Sequence, residues 1–322
     1  MQRVIVTREL PDGWQDPLRD LIADGAVEII GPRTGDVPYS HADLCALAPT
    51  VDAIVCLLTD QIDATIVEAG AAGSLKLVAN VAVGYDNVAW RRAHELGVLV
   101  SNTPGVLDDT TADTAFMLML SACRLASVAE ADLRNDRWKG WGINQYLGRD
   151  VFGATLGLVG YGRIARAMAR RAQGFDMTVL HHCRTASGDE GYVADLDELI
   201  RVSDVVSLHV PGGPDTYHLI DARRLALMKP TAVLVNTARG LVVDEAALGD
   251  ALHNGSIFGA GIDVFEAEPA VHPRLLSAPR AVLLPHIGSG SQSTRANMAR
   301  LATGAVAAVL RGSQPSNLVP RG

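Results

Sequence analysis

The sequence predicts an α/β protein built from two doubly wound parallel-sheet domains. Three observations lead there. The 322 residues are about twice the length of a typical single domain. Short β-branched runs alternate with helix-like stretches along the whole chain, which is the order of βαβ units. Several of the strand-like runs are apolar without a break, as strands are when helices cover both faces of their sheet.

The opening third supplies residues 3–7 (RVIVT), 26–30 (AVEII), 53–58 (AIVCLL) and 75–79 (LKLVA) as strands. Residues 115–126 (AFMLMLSACRLA) carry ten apolar residues in twelve, so this helix lacks a polar face and is expected to be buried all round. It fits either a central helix of one subunit or a subunit interface. Trp138 and Trp141, set among glycines just beyond it, read as an exposed aromatic arm and favour a homodimer. Further strands follow at 155–159, 177–182, 205–210, 232–235 and 281–284. In residues 293–310, Met298, Leu301, Ala305 and Val309 at helical spacing suit a closing helix that returns to the first domain.

Composition narrows the function classes. With 28 Lys and Arg against 36 Asp and Glu the net charge is -8, and no basic run could follow a phosphate backbone, so nucleic acid is not an expected partner. The longest uncharged stretch, residues 151–162, falls short of the ~20 apolar residues of a membrane helix. The start, MQRVIVTREL, has no apolar signal core, and the four cysteines have neither metal-site nor disulfide-framework spacing. A cytoplasmic protein with reduced thiols and no metal is expected. The final LVPRG matches the start of a common protease-cleavage tag and equally suits a natural tail.

The strongest local signal is residues 155–165 (TLGLVGYGRIA), an apolar strand entering G-x-G-x-x-A and then a helix. Gly160 permits the tight turn, Gly162 lets backbone N–H groups approach a pyrophosphate, and Ala165 allows close helix packing. Tyr161, Arg163 and Ile164 complete the turn, and the helix dipole points at the phosphates. An NAD-specific site carries an acid about 20 residues on, at the end of the next strand. Here Cys183, Arg184 and Thr185 follow that strand. A guanidinium there welcomes a 2′-phosphate, so NADPH is expected in preference to NADH.

Three later segments each end a predicted strand: 236–240 (NTARG), 263–269 (DVFEAEP) and 285–289 (PHIGS). Carboxyl ends of strands line the ligand crevice of an open α/β sheet, so an Arg, a carboxylate and a His are expected near a bound nicotinamide. Together with GYGRIA, and in this order, these segments resemble the D-isomer-specific 2-hydroxyacid dehydrogenases over essentially the whole chain. Within that family CLLTDQID (56–63), VGYDN (83–87) and TPGVLDDTTAD (103–113) are most similar to the glyoxylate/hydroxypyruvate reductases.

The resemblance implies a Rossmann cofactor domain at 102–287, with a dimerisation helix and arm at about 106–148, inserted in a flavodoxin-like substrate domain of 1–101 plus 288–322. It implies catalysis by Arg239, Glu268 and His286. His286 would protonate the carbonyl oxygen, Glu268 would orient its imidazole and stabilise the charged ring, and Arg239 would clamp the substrate carboxylate. The amides of Val83 and Gly84 would complete the carboxylate site beside Ser289, and Trp141 of a neighbouring subunit would limit the pocket. Asp263 would contact the nicotinamide amide, with Thr110, Pro211, Thr237 and Gly288 also bordering the cofactor. The expected activity is NADPH-preferring reduction of small 2-keto acids, glyoxylate and hydroxypyruvate first. A dehydrogenase of larger D-2-hydroxy acids, such as phosphoglycerate or branched or aromatic acids, is an alternative. So is a dinucleotide-sensing corepressor, since such relatives keep the same three positions. Ala165 replaces the third glycine of many relatives, and the absent strand-end acid concerns cofactor choice alone.

Overall fold

A computed structural model describes residues 1–186 and 188–321. The chain divides into two compact units, Met1–Leu107 with Gly290–Gly322, and Asp108–Ser289. The sequence reading put these limits at 101/102 and 287/288. The chain instead changes unit at the start of the helix Asp108–Cys123 and just before the helix Gln292–Leu310.

The first unit holds strands β1 (Gln2–Val6), β2 (Val27–Ile30), β3 (Ala53–Cys56), β4 (Leu77–Asn80) and β5 (Leu99–Ser101), all parallel, in the order β2-β1-β3-β4-β5. β3 and β4 are buried at every residue, which is why their sequences run apolar instead of alternating. The order is flavodoxin-like and reverses between β1 and β3. The helix Gln292–Leu310 returns to this unit, packing on β3 and β4, with Thr303 Oγ1 donating to Trp14 O at 2.6 Å. Beyond it the tail stays in the fold: Val319 N donates to Val100 O, Leu318 bridges Ser101, and Asn317 and Val319 are buried.

The second unit holds β6 (Thr155–Val159), β7 (Thr178–His182), β8 (Val205–Leu208), β9 (Val233–Asn236), β10 (Gly259–Ile262) and β11 (Ala281–Leu283), again all parallel, in the order β11-β10-β9-β8-β6-β7. The order reverses at β6 and β8. A ligand crevice is therefore expected outside their carboxyl ends. One apolar layer centres on Leu199, Leu234 and Leu252 and the other on Leu118, Leu158 and Met168, so the sheet is covered on both faces.

The apolar helix departs from expectation in two ways. It spans Asp108–Cys123 and stops because Leu125 takes a left-handed conformation (φ 54°). Nor is it buried all round. Leu118 faces the sheet, where Gly261 lets it close in, and Phe116 packs on Phe175, whereas Asp113 and Met117, one turn apart, are exposed. A helix lying on a sheet buries one side, and here the other side mixes charged residues with Met117. No single helix among the described residues is long and apolar enough to cross a membrane.

Candidate active site

The glycine turn follows β6 at the point of strand reversal. Gly160 has φ +88°, and a Cβ there would lie 2.8 Å from His209 O beyond β8, so only glycine lets the two strand ends meet. A Cβ on Gly162 would enter open space at the amino end of the helix Arg163–Gln173. No side chain caps that helix, which leaves its first N–H groups available to an anion. Thr237 Oγ1, after β9, is buried without a hydrogen-bond partner among the described residues. A turn that brings backbone close, an uncapped helix end and a waiting hydroxyl all fit a dinucleotide.

At the end of β7, Tyr161 stacks on the buried His181 (centroids 3.7 Å apart, planes at 15°), and the Arg166 guanidinium lies 4.3 Å over the Tyr161 ring. His182 meets Val193 O at 3.1 Å through Nδ1, so both histidines serve the strand end itself. Cys183 donates its thiol proton to Thr185 O. Arg184 is 90% exposed, and its nearest anion is the equally exposed Asp215, 3.8 Å away. Sequence reasoning missed Asp215, as it missed the pairing of Arg166 with Asp189 at 2.7 Å, because both acids come from loops far from the strand in sequence.

The three motif segments leave β9, β10 and β11 at their carboxyl ends. In the first, Asn236 Oδ1 accepts from Ala238 N and its Nδ2 donates to Arg239 O, folding the loop into a side-chain-locked turn that sends Arg239 out over Gly212. Gly240 then touches the second segment: a Cβ there would fall 1.8 Å from the Phe265 carbonyl carbon, so glycine alone lets the Arg239 and Glu268 loops meet. In the third, His286 has φ +55°, and its N–H donates to Asp263 O at 2.8 Å.

Glu268 Oε2 lies 2.8 Å from His286 Nδ1, and Glu268 Oε1 accepts from Phe265 N at 3.0 Å. Burial pushes the Glu268 carboxyl up. The His286 hydrogen bond, the Phe265 N–H and the charges of His286 and Arg239 outweigh it and hold the group below its ordinary value. The carboxylate is therefore ionised at neutral pH and holds the ring through Nδ1, which leaves Nε2 on the side away from Glu268. Asp263 is 1% exposed and accepts from Ile287 N (2.7 Å) and Gly288 N (2.8 Å). Burial raises its carboxyl above the ordinary value, partly offset by those two N–H groups and by His286. Its evident task is to shape the His286 loop. Gly288 sits against Asp263 and Thr111, and Thr114 Oγ1 donates to Thr110 O at 3.2 Å, which places Thr110 and Ser289 in the same unit as the pair. Pro211 follows β8 and its carbonyl accepts from Thr216 Oγ1.

Val83 and Gly84 belong to the other unit. There Ala82, Val83 and Gly84 have their carbonyls held by Thr103 N (2.8 Å), Asn102 Nδ2 (2.8 Å) and Asn80 Nδ2 (2.9 Å). The N–H groups of Val83 and Gly84 meet no acceptor among the described residues. Trp141, 80% exposed, stands in the arm of the second unit.

A doubly wound sheet with a dinucleotide turn at its reversal point and a His–Glu pair at its strand ends defines an NAD(P)-dependent oxidoreductase. The profile of the D-isomer specific 2-hydroxyacid dehydrogenase NAD binding domain matches residues 116–288. The chain belongs to the D-isomer-specific 2-hydroxyacid dehydrogenase family, in its glyoxylate reductase branch. It is 43% identical to a glyoxylate reductase of Thermococcus onnurineus, over 99% of this chain and 96% of that one, and 44% identical to one of Korarchaeum cryptofilum, over 98% and 95%. Among solved structures it is similar to an NADPH-dependent glyoxylate/hydroxypyruvate reductase from Sinorhizobium meliloti in complex with NADP and malonate, with a TM-score of 0.86 and 35% identity over 99% and 97% of the two chains.

Proposed function

We propose that the protein is a reductase of small 2-keto acids, glyoxylate and hydroxypyruvate, that prefers NADPH and uses His286 as its acid. The observation that carries this reading is the 2.8 Å bond between Glu268 and His286 on neighbouring strand-end loops of the unit that also holds the glycine turn. The names of the relatives point the same way. The nicotinamide supplies the hydride when bound. The protein's own residues supply what a hydride acceptor needs: a proton at His286 Nε2 for the developing alkoxide, a carboxylate behind the ring to stabilise the imidazolium, and the guanidinium of Arg239 for the substrate carboxylate. Val83 and Gly84, whose N–H groups meet no acceptor among the described residues, are proposed as carboxylate donors of the first unit.

The glycine turn, the helix Arg163–Gln173 and Thr237 would hold the dinucleotide, and Asp263 and Gly288 border it. Arg184, with only a distant exposed partner, is free to take a 2′-phosphate, supported by Thr185. Exposed apolar residues crowd the stretch from Met117 to Phe152: Leu133, Trp138, Trp141, Ile143 and Leu147 are all 44% exposed or more. We assign that surface to a homodimer.

Steady-state rates with glyoxylate, comparing NADPH with NADH in wild type and Arg184→Ala, test the reading. The variant is expected to raise the KM for NADPH by about tenfold or more, since a charge-assisted bond is worth about 1.5–3 kcal/mol, and to leave NADH almost unchanged. Equal use of both coenzymes by wild type would remove the cofactor preference. Absence of turnover with any small 2-keto acid would remove the activity.

A further inference from the structure

The segment that carries Glu268 is held from outside the site by a second carboxylate. Glu245 opens the helix Glu245–His253 and is 4% exposed, yet no cation pairs with it among the described residues. Its Oε1 accepts from Glu266 N, and its Oε2 accepts from His272 N at 2.8 Å. The two acceptor contacts therefore bracket residues 266–272, and Glu268 lies between them. Glu266 reciprocates: its Oε1 accepts from Glu245 N at 2.8 Å, while its Oε2 meets His218 Nε2 at 3.0 Å, with Asp244 3.9 Å from the other ring nitrogen. Within the bracket Ala270 N donates to Ala267 O, closing a tight loop. An unpaired buried carboxylate is costly, and the helix amino end together with two donated N–H groups offsets that cost only in this geometry.

We propose that Glu245 is a positioning residue of the reaction, fixing the loop so that Glu268 stays within hydrogen-bond reach of His286. It touches neither member of the pair and acts through the backbone at 266 and 272. The inference rests on the reading of His286 and Glu268 as the proton-transfer pair.

The test is a double-mutant cycle on the kinetics of glyoxylate reduction in wild type, Glu245→Gln, Glu268→Gln and the double variant. Gln keeps one acceptor but turns an NH2 toward one of the two backbone donors. Glu245→Gln is expected to lower kcat about tenfold, with KM for glyoxylate and for NADPH within twofold. The double variant should be no slower than Glu268→Gln alone, because one residue acts through the other. Additive losses, or an unchanged kcat in a folded Glu245→Gln, would overturn the proposal. His272→Pro, which removes one of the two N–H groups that Glu245 holds at a φ of -59° that proline adopts, gives the same readout should Glu245→Gln not fold. A His286→Gln enzyme as active as wild type would instead sink the pair assignment beneath it.

Discussion

At the scale of single residues, the Glu268–His286 bond is the contact on which the proposed proton transfer depends. Glu268→Gln should cost about a hundredfold in kcat, read from initial rates with glyoxylate; an unchanged kcat would contradict the pairing. The same contact bears on stability. Glu268 is held below its ordinary value, so its contribution to stability is complete above that value and is lost only as pH falls through the depressed one. With a side chain 30% exposed, the effect is screened and small. Not every residue role could be read from sequence. Glu266 and His272 looked like ordinary loop residues because their partner, Glu245, stands some twenty positions away with no spacing rule to link them. The hold of the two Asp263 oxygens on the N–H groups of Ile287 and Gly288 is likewise a contact between distant segments that no spacing announces.

Secondary elements were more legible. Central strands such as β4, β8 and β9 are buried at every residue, so mostly apolar runs mark them to within a few residues. The glycine turn was equally plain, since strand, turn and helix adjoin in sequence. The limits of the helix Asp108–Cys123 were not, because its stop depends on a left-handed Leu125 that no glycine announces. Contacts between loops were also hidden. Gly240 looks like one glycine in NTARG, yet it is where the Arg239 and Glu268 loops touch. Gly240→Ala should therefore destabilise by several kcal/mol, measured by chemical denaturation, and lower activity in whatever protein folds. A variant of wild-type stability and rate would show that the loops need not meet so closely.

At the scale of the molecule, Met117 and the apolar side chains of the arm beyond it, Trp138, Trp141, Ile143 and Leu147 among them, are exposed. Light scattering should give twice the chain's 34.0 kDa. Trp141→Ala should raise kcat/KM for a bulky keto acid such as phenylpyruvate relative to glyoxylate by several fold, and unchanged selectivity would withdraw the tryptophan from substrate choice. The sequence revealed the apolar residues, but a helix lying on a sheet had to be seen before they divided into a core face and an outward face. One further consequence follows from the tail at Asn317–Val319 and the helix before it, both packed in the first unit. On the ribosome the divided unit cannot be completed until residues 290–319 emerge, whereas the inserted one is contiguous and can close earlier. The nucleotide-binding half is thus able to fold while the other still waits for its returning helix.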